Sequence, residues 1–130
     1  MLIGTEFSQQ ISVEQHQTAL HMGSGSIEVF ATPAMIAFME NTAMLSIANK
    51  LNEGETTVGT FIQADHLKAS VVGETLLCHS KVTAENGREI TFELLVTDSK
   101  GDTVGKAIHK RFVVNKTRFI EKAKELAKKR

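Results

Sequence analysis

At 130 residues the chain is long enough for a single domain with a real core, and 42% apolar with 23% charged residues is ordinary for a soluble globular protein. Fifteen basic residues balance fifteen acidic ones, so overall charge singles out neither a nucleic acid nor a membrane surface as partner. Cys78 is the only cysteine, which excludes an intramolecular disulfide, and there is neither a signal-peptide pattern nor a run of about 18 apolar residues, so a reducing, cytoplasmic setting is expected.

The first seven residues read as a lead-in, and 8–21 (SQQISVEQHQTALH) as a strand, followed by a flexible GSGS connection at 23–26. Thr32 and Pro33 read as a helix start, an N-cap hydroxyl followed by proline at the first helical position. That helix should run to about Leu51 and end in NEG at 52–54. Because it is apolar over most of its circumference, it should be covered on nearly every side, as a helix wrapped by a sheet would be. One residue breaks the pattern. Glu40 has Ile36, Ala37, Ala43 and Met44 as its neighbours one turn away, and burying a carboxylate there is costly.

From residue 55 the period changes to two. β-rich runs are expected at 56–69, 74–85, 88–98 and 103–114, with Asn86-Gly87 marking a tight hairpin and DSKGD at 98–102 a longer turn. Ile90, Phe92, Leu94 and Val96 alternate with polar residues, as on an antiparallel strand with one buried face. Residues 116–130 form a basic amphipathic C-terminal helix, with Phe119, Ile120, Ala123, Leu126 and Ala127 at helical spacing. This tail holds seven Lys or Arg against Glu121 and Glu125, leaving eight basic and thirteen acidic residues in the rest. The pattern is that of one α+β domain over 1–130, with a core at about 8–115. It fits a single antiparallel sheet wrapped around one long central helix, or a helix lying on a flat sheet.

Four residues stand out for chemistry. Glu40 is either a core-edge glutamate or a carboxylate in a partly dry site whose raised pKa suits a base or nucleophile. Thr32, eight residues earlier, lies on roughly the same side of the helix. Its cap role alone would explain it, although its hydroxyl could also orient a water or a carbonyl. His66 shares a strand face with Ile62 and Ala64, while the adjacent Asp65 points the other way and cannot form a relay with it. Gly59, inside a β run, marks a bulge or a close approach whose N–H can meet a ligand oxygen. The remaining histidines lack metal-ligand spacing, and no nucleophile elbow, phosphate loop or dinucleotide fingerprint occurs. With no Trp or Tyr, the basic tail lacks stacking platforms for nucleic acid. Lys110 and Arg111, with that tail, could meet a phosphorylated ligand.

Three stretches, EVFATPAMIAFME, EGETTVGTFIQADHLKASVVGE and VGKAIHKRFVV, together resemble the hotdog-fold thioesterases related to fluoroacetyl-CoA thioesterase, over about residues 10–115. The resemblance implies a catalytic set of Thr32, Glu40 and His66, with the Gly59 N–H placed at the thioester. It implies the hotdog fold, a curved antiparallel sheet wrapped around the helix, paired as a homodimer (possibly a tetramer) with active sites at the interface. The implied reaction is hydrolysis of an acyl-CoA thioester to a carboxylate and free CoA, without metal or other cofactor, the CoA phosphates being held by exposed cations such as Arg111, Lys110 or Lys68. HMGSGSIEVF lacks the longer aromatic-bearing lid segment associated with fluoroacetyl specificity, which leaves the acyl group open. A non-catalytic acyl-CoA binding module, and a hydratase or dehydratase on the same fold, are the competing readings.

Overall fold

The computed structural model describes residues 1–129. Strand β1 (Glu6–Ser12) is followed by a short 3-10 turn (Gln15–Gln17) and a one-turn helix α1 (Ala19–Met22). Then come the long helix α2 (Thr32–Ala48), strands β2 (Glu55–His66), β3 (Thr75–Asn86), β4 (Glu89–Asp98) and β5 (Thr103–Asn115), and helix α3 (Lys116–Lys128). The five strands make one antiparallel sheet in the order β1-β3-β4-β5-β2, so β1 and β2 are its two edges. Helix α2 touches all five strands, which curve around it. This is the helix-in-sheet arrangement and not the flat sandwich.

The expected strand at 8–21 is shorter and starts earlier. β1 stops at Ser12 because the following residues find partners for their backbone groups locally. The Val13 N–H is given to Glu74, Glu14 and Gln17 form a reciprocal capping box, and the Thr18 hydroxyl accepts from the His21 N–H to start α1. The hairpin falls one residue later than expected, with Asn86 paired to Glu89 and Gly87-Arg88 as the two central residues. Gly87 adopts φ +63°, which a glycine reaches without strain. Arg130, the last residue of the expected C-terminal helix, lies outside the described residues.

The core sits between α2 and the sheet. Met35, Met39, Ala43 and Ile47, spaced four apart, have no exposed surface, and they meet Leu76, Cys78, Val82, Phe92, Val96 and Val104 from the strands. Each large side chain so buried contributes about 2–3 kcal/mol. Gly105 exists for this packing, since a β-carbon there would overlap the Met35 sulfur. Ile90, Phe92, Leu94 and Val96 all point inward as their alternation requires.

In one respect the helix departs from expectation. It is not covered on nearly every side, because an open five-stranded cradle covers only the face turned towards it. Pro33, Ala37, Asn41, Leu45 and Ala48 form an exposed stripe along α2, with Leu45 41% exposed. The helix also ends three residues early, at Ala48, capped by Asn49.

Candidate active site

Thr32 is not the N-cap of α2. Ala31 holds that position with no side-chain cap bond, and Thr32 is the first helical residue, followed by Pro33. Its hydroxyl is therefore free for other work, and it lies 2.8 Å from His66 Nδ1. His66 ends β2 on the inward-turned face that carries Ile62 and Ala64, both packed against the core. The ring of Phe30 stands edge-on to the imidazole, with centroids 6.3 Å apart. Burial lowers the His66 pKa below its ordinary 6.5, an effect only partly offset by the nearby Lys68 backbone. Nε2 is buried without a hydrogen-bond partner. The Lys68 backbone is thus near it but outside bonding geometry, and an orphan ring nitrogen of this kind is a functional signal. A cavity of about 330 Å³ opens on this pair, with Ser24, Phe30 and Leu67 in its walls.

The second half of the site is centred on Gly59. A β-carbon placed there would lie 2.9 Å from Glu40 Oε2, 3.3 Å from His109 Cε1 and 3.5 Å from Arg111 Nη1. Three polar side chains thus converge on the space that this glycine leaves empty. Between Gly59 and Phe61 the β2–β5 register shifts by one residue, the bulge that the glycine suggested. Glu40 is half-buried, at the edge of the exposed stripe of α2. Either a core-edge position or an apolar, partly dry site was expected for it, and the structure is apolar on the helix side alone. On its sheet side it faces an imidazole and a guanidinium.

Those two groups are held rigidly. Arg111 is 7% exposed, its Nε donating to Thr57 Oγ1 at 2.7 Å and Nη2 to the Thr57 carbonyl at 3.0 Å. His109 has no exposed surface. Its Nδ1 is 2.8 Å from the Phe61 carbonyl, which can only accept, so Nδ1 carries the proton. Its Nε2 is 3.1 Å from Arg111 Nη1, which can only donate, so Nε2 is the acceptor. His109 is therefore locked as a neutral imidazole. Burial is the main reason that its pKa is lowered, with the Phe61 carbonyl opposing and the Arg111 charge assisting. Burial also lowers the Arg111 pKa, against the attraction of the Glu40 carboxylate.

Arg111 was expected among exposed cations, and it is not one. On β5 the inward-facing residues are Ala107, His109, Arg111 and Val113, so the alternation that turns Lys110 out turns Arg111 in. Lys68 is partly exposed, but its ammonium sits 2.6 Å from Asp98 and 2.8 Å from Asp102, which raise its pKa. Lys110 is 3.9 Å from Glu89 and 5.8 Å from the centre of the Phe61 ring, and it keeps an accessible charge. Sequence reasoning named Thr32, Glu40, His66 and Gly59 as candidates but not His109 or Thr57, which surround the Gly59 half of the site. The signal for His109 was its position two residues from Arg111, on the same face of a strand.

The structure pairs Thr32 with His66, and Glu40 with Gly59, but it does not bring the pairs together within one chain. Eight helical residues separate Thr32 from Glu40, about 12 Å of axial rise. Seven strand residues separate Gly59 from His66, about 23 Å of extended chain.

A single long helix cradled by a five-stranded antiparallel sheet, with a carboxylate and a histidine on its open flank, defines a hotdog-fold enzyme. The crystal structure of the fluoroacetyl-CoA thioesterase FlK superposes with a TM-score of 0.89 at 27% identity, covering 96% of each chain. The fluoroacetyl-CoA thioesterase of Streptantibioticus cattleyicolor is 28% identical over 131 residues, covering 96% of this chain and 94% of its own. A hot-dog-like protein from Thermanaerovibrio acidaminovorans shares the fold, with a TM-score of 0.88 at 22% identity, covering 98% of this chain and 94% of its own. The family model of FlK, fluoroacetyl-CoA-specific thioesterase, matches residues 13–117, and the chain belongs to that family. Its activity is accordingly that of an acyl-CoA thioesterase.

Proposed function

We propose that the reaction runs in a composite site shared between two copies of the chain, with Glu40 and Gly59 of one protomer facing Thr32 and His66 of the other. The observation that carries this is the division of the four residues into two pairs too far apart to act on one thioester. β2 is an edge strand, and an edge invites pairing with a second copy. An antiparallel β2–β2 contact with its two-fold axis at Gln63 keeps inward residues paired with inward ones, and the extra residue of the Gly59–Phe61 bulge then sets Gly59 opposite His66, which closes the gap.

In that site the Glu40 carboxylate drives attack on the thioester carbonyl. It either takes a proton from the attacking water or adds to the carbonyl itself, giving an anhydride that water then opens. The Gly59 N–H stabilises the oxyanion, and a donor of this kind is worth about 3–4 kcal/mol of barrier. The proton released by the attacking water passes by way of the neutral His66, whose Nε2 has no partner, to the departing thiolate, and Thr32 fixes the ring. The products are a carboxylate and CoA with its thiol restored. Lys110 is the candidate left for the CoA phosphates. Ser24 of the short GSGS connection lines the cavity alongside Phe30, and the reading extends to the acyl-CoA class, not to one acyl group.

Mixed dimers test the composite site. Chains carrying Glu40→Gln and chains carrying His66→Gln are each expected to be inactive, yet their co-expressed mixture should recover about a quarter of wild-type thiol release, because one site in each heterodimer is intact. Absence of recovery in verified heterodimers would show that each protomer works alone.

A further inference from the structure

We infer that α3 of one protomer docks on an apolar patch of the other, beside the partner's Thr32–His66 cavity. This inference rests on the two-fold pairing proposed above. α3 has thirteen residues and none is buried, while Phe119, Ile120 and Leu126 are 44%, 50% and 58% exposed along one side. A helix of that length is marginal in water unless its apolar face is covered. Its own chain anchors only its first turn, through the Asn115 side chain accepting from the Arg118 N–H and the Lys116 N–H donating to the Gly54 carbonyl. α3 therefore starts at the beginning of β2.

The axis at Gln63 that, with the bulge, sets Gly59 opposite His66 also brings Glu55 towards the partner's chain just beyond His66, near Ser70. The start of α3 thus arrives at the segment that follows the partner's β2. That segment carries an uncovered apolar patch of matching character. Leu67, Val71 and Val72 are 57%, 54% and 44% exposed, and Ile27, brought alongside by the Val29–Val71 bridge, is 62% exposed. The charges match as well. Glu28 follows Ile27 and Glu74 accepts from the Val71 N–H, so both border the patch; Asp65 is opposite Lys106 across the β2–β5 pair, and Lys68 is already held by Asp98 and Asp102. The tail from residue 116 has an excess of five positive charges, and the rest of the chain has an excess of five negative ones. A second copy of this chain is thus the occupant that fits α3 in position, apolarity and charge.

Site-specific cross-linking tests it in the full-length protein. One variant carries Ile120→Cys and another Val71→Cys, and the two are mixed, exchanged and mildly oxidised. The native Cys78 is fully buried and takes no part. A covalent heterodimer is the expected product, with little from either variant alone. Light scattering that reports a dimer without any cross-link would overturn the docking and leave the β2 pairing intact. A monomer at every concentration would overturn both. As a second measurement, Phe119→Ser with Ile120→Ser should weaken dimerisation at least tenfold and leave the far-UV spectrum of the sheet unchanged. If that variant dimerises normally, while only wild type sediments with phosphatidylserine vesicles, α3 is a membrane-surface helix and the docking is wrong.

Discussion

Gly59→Ala isolates the geometry of the site with a single methyl group. The new carbon would sit 2.9 Å from Glu40 Oε2, where ordinary contacts begin at about 3.4 Å. The carboxylate is the mobile end of a side chain, so it yields before the backbone does, by roughly half an ångström to one ångström. His109 Cε1 at 3.3 Å cannot yield equally, because both nitrogens of that ring are committed. Since φ at Gly59 lies outside the left-handed region, alanine brings no backbone strain there, and the loss of unfolded-state freedom favours it by about 0.4–1 kcal/mol. Stability should therefore change little. Displacement of a reacting group by about 1 Å typically costs about a hundredfold in rate, near 2.7 kcal/mol of barrier. The expected result is an unchanged melting temperature together with a fall of about a hundredfold in kcat for thiol release. The assay pairs calorimetry with steady-state kinetics on a panel of short, branched, aromatic and long acyl-CoAs. Activity within twofold of wild type would refute the assignment of Glu40 as the reacting carboxylate, and a collapse in melting temperature would mean that the glycine serves the fold instead.

The acid limb of the pH profile should lie low. His66 is held neutral by burial, so kcat/KM is expected to stay level from about pH 8 down through 6.5 and to fall only below it, and a midpoint above 6.5 would contradict this. Stability follows the same sign: His66 and His109 both resist protonation in the folded chain, so the stability they confer is complete above pH 6.5 and is lost as pH falls through their lowered values, which thermal melts between pH 8 and 5 would detect. Arg111→Met should destabilise the fold by about 2–4 kcal/mol, because it leaves Thr57 and His109 Nε2 buried without their donor, and Arg111→Lys should restore little, since an ammonium cannot reproduce the fork; denaturant midpoints decide both.

The parts of the fold that depend on one-residue chemistry were legible in the sequence. Alternation from Ile90 to Val96 gave a strand with one buried face, and Pro33 marked the first turn of α2. What periodicity cannot carry is pairing order: β2 follows α2 in the chain, yet it lies at the far edge beside β5. Residues 13–22 were misread because their polar side chains cap and box their own backbone, a local choice that composition does not reveal. The same kind of ambiguity hid the role of Thr32. Threonine before proline is a good cap in general, and only the position of His66, brought in from the end of a strand, shows where the hydroxyl points.

Glu40 poses the deeper problem, a carboxylate on a helix that otherwise reads as core. On sequence alone its four apolar neighbours suggest a dry surround, and half of that picture holds. The other half comes from β5, where His109 and Arg111 look inward, the latter at a position that a linear reading takes for a surface cation. Arg111 is tied at Nε and Nη2 to Thr57 and at Nη1 to His109, so the positive charge opposite Glu40 is fixed in place and not drawn from solvent. That leaves the carboxylate free to turn towards the open side of α2, the side on which a second chain would bring His66. On the two-fold pairing proposed above, a residue that looks misplaced in one chain is well placed for two, because a partner would complete the surface it interrupts.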